Sequence, residues 1–332
     1  MDFIVSVLAK QPGEEKAAQA NLNMDEDQNE ESIASSVNSG DPFAEGLRDP
    51  HMDVAELPPA HVLALNKFNT MRDHALVITQ QFHPQGEALT KEDLLAWHGV
   101  VKALPALGFY NSAQEAGASQ RHKHMQVIPE DVLAEYRPGA AQAIPVDEAI
   151  NLVIEDGLGR GEGEGEVGVE AKIFRIPEFR FQHAITLLPS EEAFTAISAK
   201  LAAGGPQAAT DFGGFLRERY LALLNAVGFD ITHLTQAPAA GDPWTGTGVG
   251  EPEGSRDPKD SGAWAGDPLP PYNALLTKRW MMVVPRSRRE FAGVDVNGMG
   301  FMGALLVKGE DGMAVVERVG PLGILREVAL PL

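Results

Sequence analysis

The sequence predicts an α+β protein in which a largely antiparallel sheet is flanked by helices. Short β-branched runs such as "HALVITQQF" (74–82) and "GALLVK" (303–308) lie between turn residues, as strands do. Amphipathic runs such as "TKEDLLAWHGVVKAL" (90–104) and "DFGGFLRERYLALLNAVG" (211–228) open on Thr or Asp, as helices do. The two kinds intermingle without the strict strand–helix alternation of a doubly wound sheet. A faint internal echo adds a third observation. "LNKFNTMRDHALVITQQF" parallels "YNALLTKRWMMVVPRSRREF", and "HMQVIP" parallels "HAITLLP", so two related halves sharing one sheet are expected.

Taken in order, residues 3–8 predict a first strand. Residues 11–57 hold 12 Asp and Glu against 2 Lys and Arg, a net of −10 and half of the whole chain's −20. That segment predicts a solvated acidic loop and says little about an active surface. Strands are expected at 74–82, 108–112 and 122–128, with a helix over 90–104 whose N-cap is Thr90 and whose first turn is acidic. "VDEAINLVI" predicts a short helix, and "GRGEGEGEVG" (159–168) a glycine tether. "EAKIFRI" and "FRFQHAITLLP" predict two strands, followed by helices from Ser190 and Asp211. After a Pro/Gly/Asp-rich linker over 236–269, residues 272–291 resume as strand, and the tail is helical with a proline break. The resulting division is 1–54 (first strand plus acidic flexible loop), 55–190 (N-terminal half) and 191–332 (C-terminal half).

With 332 residues, 44% hydrophobic and 22% charged, the chain is that of a globular protein. Its negative balance argues against a nucleic-acid-coating role, which needs a basic face. There is no cysteine, which removes disulfides, thiolate metal sites and Cys nucleophiles. No apolar run has transmembrane length and the start is a poor signal peptide, so no membrane association and a cytoplasmic location are expected.

The segment "GASQRHKHMQVIP" (117–129) raises the question of chemistry, with two imidazoles and an amide at alternate positions. With strand period two, His122, His124 and Gln126 share one face at spacings of ~6.7 Å, and Lys123, Met125 and Val127 face the other way. Gly117, Ala118, Ser119 and Gln120 precede them and offer N–H groups with little bulk, suited to phosphate oxygens. Three readings compete: polar residues on an exposed strand face, a metal-chelating pair, or an imidazole that attacks phosphorus. A zinc site would be short of ligands nearby, so no protein-held metal is expected.

"NSAQEAGASQRHKHMQVIP" resembles the H-x-H-x-Q signature of the histidine-triad superfamily in its transferase branch, and more closely the diadenosine tetraphosphate phosphorylases (ATP adenylyltransferases). The resemblance extends through "HVLALNKFN", "DHALVIT", "FQHAITLLP", "YNALLTKRWMMVVPR", "VNGMGFMGALLVK" and "VGPLGILREV", over most of residues 55–330, with "FIVSVLAK" and "DPF" (41–43) before it. It implies a histidine-triad-like fold of two halves and a two-step displacement. His124 would attack the α-phosphorus of an adenylyl group and expel ATP, and inorganic phosphate would then release ADP. His122 would hold the segment, and Gln126 would donate to a non-bridging oxygen, as the mark of a transferase. The resemblance places Asn66 and Lys67 near the nucleotide, Asn111 and Ser112 near ribose and phosphate, and Gly117, Ser119 and Gln120 in the phosphate turn. Asn273, Thr277 and Lys278 stand where the second half reaches the polyphosphate; Arg286, Arg288 and Arg289 read as a solvated basic patch. The implied partners are dinucleoside polyphosphate, inorganic phosphate, ATP and ADP, with Mg or Mn carried on their phosphates and no covalent cofactor. Arg121 stands where the family has proline, Ser6 where it often has arginine, and the chain begins without the helical segment that precedes the family's first strand. Phosphorolysis of a nucleotide sugar or adenylyl sulfate, or non-catalytic nucleotide sensing, are the alternatives.

Overall fold

The computed structural model describes residues 3–8, 41–69, 71–158, 172–190, 192–195, 211–235 and 269–332. The tether 159–168, the linker 236–268 and the acidic loop before residue 41 lie outside the described residues.

Among the described residues, nine strands form one sheet in which every neighbouring pair is antiparallel. Strand β1 (Ile4–Leu8) stands apart from it. In chain order the sheet strands are β2 (Asp53–Leu57), β3 (His61–Leu65), β4 (Ala75–Thr79), β5 (Ala106–Asn111), β6 (His124–Pro129), β7 (Ile173–Phe174), β8 (Ala184–Leu187), β9 (Tyr272–Leu276) and β10 (Trp280–Pro285). Their spatial order is β2-β3-β4-β6-β5-β9-β10-β8-β7. The hairpin β11 (Glu290–Phe291)–β12 (Val294–Asp295) follows, and β13 (Ala304–Lys308) pairs in parallel with β1. The expected α+β class and largely antiparallel sheet are therefore present.

The register is symmetric about the Phe109↔Leu275 pair where β5 meets β9. Phe109 pairs with Gln126 and Gln126 with Leu76 on one side; Leu275 pairs with Met282 and Met282 with Ile185 on the other. By position β6 thus corresponds to β10 and β4 to β8, rather than β4 to β10 and β6 to β8 as the sequence echo suggested. The echo misaligned because matched apolar strands resemble one another whatever their place in a sheet. The expected single strand over 272–291 is a hairpin, turned at Thr277–Arg279, whose Thr277 Oγ1 accepts from the N–H groups of Arg279 (3.1 Å) and Trp280 (3.2 Å). The strand expected over 122–128 begins at His124; His122 makes only an isolated bridge to Pro84.

Two apolar clusters fill the faces. On one, α1 (Lys91–Ala103) and α4 (Phe212–Ala226) cover Met125, Val127, Tyr110, Ala274 and Met281. Helix α1 starts as predicted: Thr90 Oγ1 accepts from Asp93 N–H at 3.1 Å and the Asp93 carboxylate accepts from Thr90 N–H at 2.9 Å, a reciprocal capping box. Helix α2 (Glu130–Glu135) continues directly from β6. On the opposite face, α3 (Pro145–Val153), α5 (Gly298–Met302), α6 (Gly309–Val319) and α7 (Pro321–Val328) bury Leu275, Trp280, Met282 and Val284. That packing extends past β9 and β10 to Leu107 and Phe109 of β5 and Ile128 of β6. On the same face at the β3–β4 end, Phe43 packs against the small cluster Val62, Ala64, Leu76 and Ile78.

Candidate active site

The alternating polar residues stand on that second face, next to the β3–β4 cluster. His124 is the first residue of β6 and is buried, opposite Ile78 of β4. Its Nδ1–H donates to the His122 carbonyl at 2.9 Å, since a carbonyl can only accept. That leaves Nε2 with its lone pair. Burial pushes the imidazole down to about 4 despite the His122 hydrogen bond, which raises it, so the ring is neutral at pH 7. A neutral imidazole with a fixed tautomer and a free Nε2 is a nucleophile or base in its working form.

His122 is held at both nitrogens. Nε2 lies 2.7 Å from the Thr79 carbonyl and 3.0 Å from its hydroxyl, and Nδ1 lies 2.8 Å from the Asp41 carboxylate. The rings of Phe43 and Phe82 pack on His122 at 6.0 and 5.5 Å, and Phe43 also lies 5.0 Å from His124. Gln126, half-buried, leans on His74, whose ring burial pushes down to about 4. Asn66 Nδ2 donates to His74 Nδ1 at 3.3 Å, so Nε2 of His74 carries the hydrogen, buried and without a partner of regular geometry. His122, His124, Gln126 and Asn66 are thus brought together, with exposed Lys67 next in the chain.

Lys123, on the other face, is buried as an ion pair with Glu87 (3.1 Å) and Asp93 (3.3 Å). Burial opposes ionisation of Asp93, but the His61 hydrogen bond and the Lys123 charge hold its carboxyl well below the usual range.

The small-residue turn is partly closed on itself. Gly117 N–H donates to Gln114 and Ala118 N–H to Ala113, both at 2.9 Å, so the expected offer of those two groups to phosphate is not met. A short helical turn at Gln114–Ala116 consumes them, and Gly117 ends it at φ +94°. A Cβ there would meet Asn297 Cβ at 2.7 Å, so glycine is required by conformation and by contact. Ser119 and Gln120 remain on the accessible rim.

Asn111, Ser112 and Asn273 serve the β5–β9 junction. Asn111 Oδ1 accepts from Asn273 Nδ2 (2.8 Å) and Gly298 N–H (2.9 Å), Asn273 Nδ2 also donates to Ala116 (2.8 Å), and Ser112 Oγ accepts from Tyr272 N–H (2.9 Å). Arg286 is not in a solvated patch: it is buried and donates to Asn273 Oδ1 at 2.6 Å and to the carbonyls of Ala116, Val328 and Val296. Burial without a carboxylate in contact lowers its pKa to about 9. Arg288 and Arg289 are exposed, as expected of a solvated patch, and are paired there with Glu327 and Asp295.

Thr277 and Lys278 are not brought to His124. Because β9 runs antiparallel to β5, its end emerges where β6 finishes, beside Glu130, whereas His124 stands at the start of β6. Sequence reasoning also passed over Asp41, Thr79 and Gln85. Asp41 was visible only as the opening of "DPF", and the other two looked like ordinary strand and turn residues. Among the described residues no group of three or more His, Cys, Asp and Glu is arranged to hold a metal ion, and no helix is long and apolar enough to cross a membrane.

Fold and site together define an antiparallel α+β protein with a neutral, oriented imidazole at the start of β6. Residues 1–152 match the Ap4A phosphorylase N-terminal domain and residues 177–331 the ATP adenylyltransferase C-terminal domain. The chain belongs to the Ap4A phosphorylase/ATP adenylyltransferase family, Ap4A being diadenosine tetraphosphate, as its motifs suggested. Among curated relatives it is 26% identical over 262 residues to diadenosine 5',5'''-P1,P4-tetraphosphate phosphorylase 2 of Saccharomyces cerevisiae, covering 74% of this chain and 62% of that protein. It is 24% identical over 264 residues to Protein APA1 of the same yeast, covering 76% and 63%. The chain therefore spans about three fifths of the length of these relatives. The crystal structure of yeast Ap4A phosphorylase Apa2 superposes with a TM-score of 0.56 at 22% identity, covering 90% of this chain and 83% of that one, and the same enzyme in complex with Ap4A gives the same values. At that identity the superposition establishes the fold.

Proposed function

We propose that the protein is a dinucleoside polyphosphate phosphorylase, converting diadenosine tetraphosphate and inorganic phosphate to ATP and ADP. The observation that carries this reading is His124, buried and neutral, with Nδ1–H tied to the His122 carbonyl and Nε2 free. Nε2 attacks the α-phosphorus of one adenylyl group, an N–P bond forms, the bridging P–O bond breaks, and ATP leaves. A phosphate oxygen then attacks the same phosphorus, the N–P bond breaks, and ADP leaves. Each step is a positioned displacement in which electrostatics carries most of the barrier lowering. His122, anchored by Asp41 and Thr79, holds the segment that carries His124. Gln126 donates its amide to a non-bridging oxygen; being unable to shuttle a proton to water, it favours transfer over hydrolysis. Asn66, Lys67, Ser119 and Gln120 surround the nucleotide and its phosphates.

A divalent cation, Mg or Mn, enters on the substrate phosphates rather than on protein ligands. The symmetric register about Phe109 and Leu275 supports a histidine-triad-like fold of two related halves, only one of which kept the chemistry. Of the three-part division, the first part reaches residue 54; the register groups β7 and β8 with the second half, so the boundary between the halves falls before residue 173 rather than at 190. The cysteine-free composition fits work in the cytoplasm on small nucleotides. In the deciding experiment, diadenosine tetraphosphate is supplied with and without phosphate, and an acid-labile adenylyl-protein adduct is sought. ATP and ADP in equal amounts, dependent on phosphate, support the reading. AMP released without phosphate as the main product would show a hydrolase, and faster turnover of a nucleotide sugar or adenylyl sulfate a different conjugate.

A further inference from the structure

Strand β6 lacks a backbone partner on one side at the residue where the reactive imidazole stands. The β5–β6 ladder runs from Ala106↔Pro129 to Phe109↔Gln126 and stops, although β5 continues to Asn111 and β6 begins at His124. One side chain fills the gap. Gln85, fully buried, accepts from His124 N–H through Oε1 at 2.9 Å and donates through Nε2 to the carbonyls of Asn111 (2.8 Å) and His124 (3.2 Å). A primary amide presents the donor and acceptor of a peptide unit, so it stands in for the missing strand residue. Its own backbone is tied as well: N–H donates to Arg121 at 2.7 Å, and its carbonyl accepts from the Tyr110 hydroxyl.

We propose that Gln85 is a positioning residue for His124, setting the backbone torsions that aim the imidazole without itself touching substrate. The ring is bonded to the His122 carbonyl two residues upstream, so its direction depends on the backbone between 122 and 124. That backbone is paired by β4 on one side and, on the other, at His124, by Gln85. The inference rests on His124 being the nucleophile of the proposed phosphorolysis, where a misplacement of ~1 Å costs on the order of 100-fold in rate.

Gln85→Glu tests it. Ionised, the new side chain keeps the shape but has no donor, and one oxygen faces two carbonyls; protonated, it regains one donor and one acceptor. The titratable side chains around it are Tyr110 from β5 and His124 from β6, while the Glu87 carboxylate is occupied by Lys123. Relative to the unchanged protein at each pH, the variant is expected to lose on the order of 100-fold in kcat at pH 8 and to recover several-fold toward pH 5. KM for diadenosine tetraphosphate is expected to stay within about twofold. Gln85→Met, which cannot hydrogen-bond through its end group in the same way, is expected to show the loss without the acid recovery. A Gln85→Met protein with normal kcat, or a Gln85→Glu loss that is the same at both pH values, overturns the proposal. Nitrogen NMR of ¹⁵N-histidine-labelled protein separates this from failure of the phosphorylase reading. Should the unchanged protein make no ATP or ADP, that reading fails, and the His124 tautomer still decides the role of Gln85. Loss of the single Nδ1–H form in Gln85→Met supports it, and an unaltered spectrum overturns it.

Discussion

Strands β6 and β10 occupy equivalent places on either side of the β5–β9 junction, yet the residues on their shared face differ in kind. Where β6 presents His124, Gln126 and Ile128, β10 presents Trp280, Met282 and Val284. The β10 side is sealed by helices, and Trp280 Nε1 donates to the Asp147 carboxylate at 2.7 Å, satisfying its one polar atom. On the β6 side Ile128 joins the same helix-covered cluster, whereas His124 lies against Phe43, which also packs on the small β3–β4 cluster. The histidines that precede β4 and β8 repeat the contrast. His183 donates from Nδ1 to Phe181 (2.9 Å) and accepts at Nε2 from Ile176 N–H (2.8 Å), whereas His74 has a buried Nε2 without a regular partner. One backbone plan thus supports an apolar core at one end and a face bearing polar side chains at the other. What distinguishes them is which polar atoms are left unspent.

The contrast breaks most sharply at His124. His124→Ala is expected to lower phosphorolysis by on the order of 10⁴-fold while the fold persists, read from ATP and ADP formation and from circular dichroism. Normal product formation by that variant would remove the distinction between the two ends.

Acid should act on both ends alike. His74, His124 and His183 are each pushed down to about 4 in the folded chain by burial, against 6.5 for an ordinary histidine. The unfolded chain takes up these protons first, so the stabilising contribution is complete above pH 6.5 and declines as pH falls toward 4, by about 3 kcal/mol for each histidine. Urea midpoints measured between pH 7 and 4 check this, and a flat profile would contradict it. The same depression keeps His124 neutral, so the acid limb that it contributes to kcat/KM should fall near pH 4 rather than 6.5.

Trp280→Phe tests the closed end. It leaves an Asp147 oxygen without its indole donor, although Arg279 still pairs with the other oxygen at 2.7 Å. A loss of about 1–3 kcal/mol in stability with unchanged kcat per folded molecule is expected. A fall in kcat larger than the loss of folded protein would tie this end to the chemistry. The smallest effect belongs to Lys278→Ala. The exposed lysine lies beyond the far end of β6, so kcat/KM should change by less than about twofold, within the range of surface charges. A tenfold fall would return the β9–β10 turn to the site.

Most of the elements were legible because their signals are local. Thr90 and Asp211 cap helices α1 and α4 where their sequence positions say they should, and Gly320–Pro321 breaks the helical tail. The H-x-H-x-Q alternation likewise placed His124 and Gln126 on one face. Harder to read were residues whose role depends on a distant partner. Gln85 is 39 positions from His124, and Asp41 is 81 from His122. Neither spacing has a periodicity to betray it, and both residue types are common in turns. Asn273 and Lys278 were assigned by resemblance to a reaching second half, but antiparallel pairing directs one into the junction and carries the other to the far end of the sheet.

By itself, the sequence determined the α+β class, most of its helices and strands, the side-chain alternation of 122–128 and the motifs that mark the family. Those follow from short-range sterics, from capping and from the period of two. Only the tertiary structure decided which imidazole is held at both nitrogens and which keeps a free Nε2, which turn N–H groups are already spent, and that Arg286 is buried. Such outcomes depend on hydrogen-bond partners that meet only when distant strands are brought into register, and on burial that no single segment can create alone.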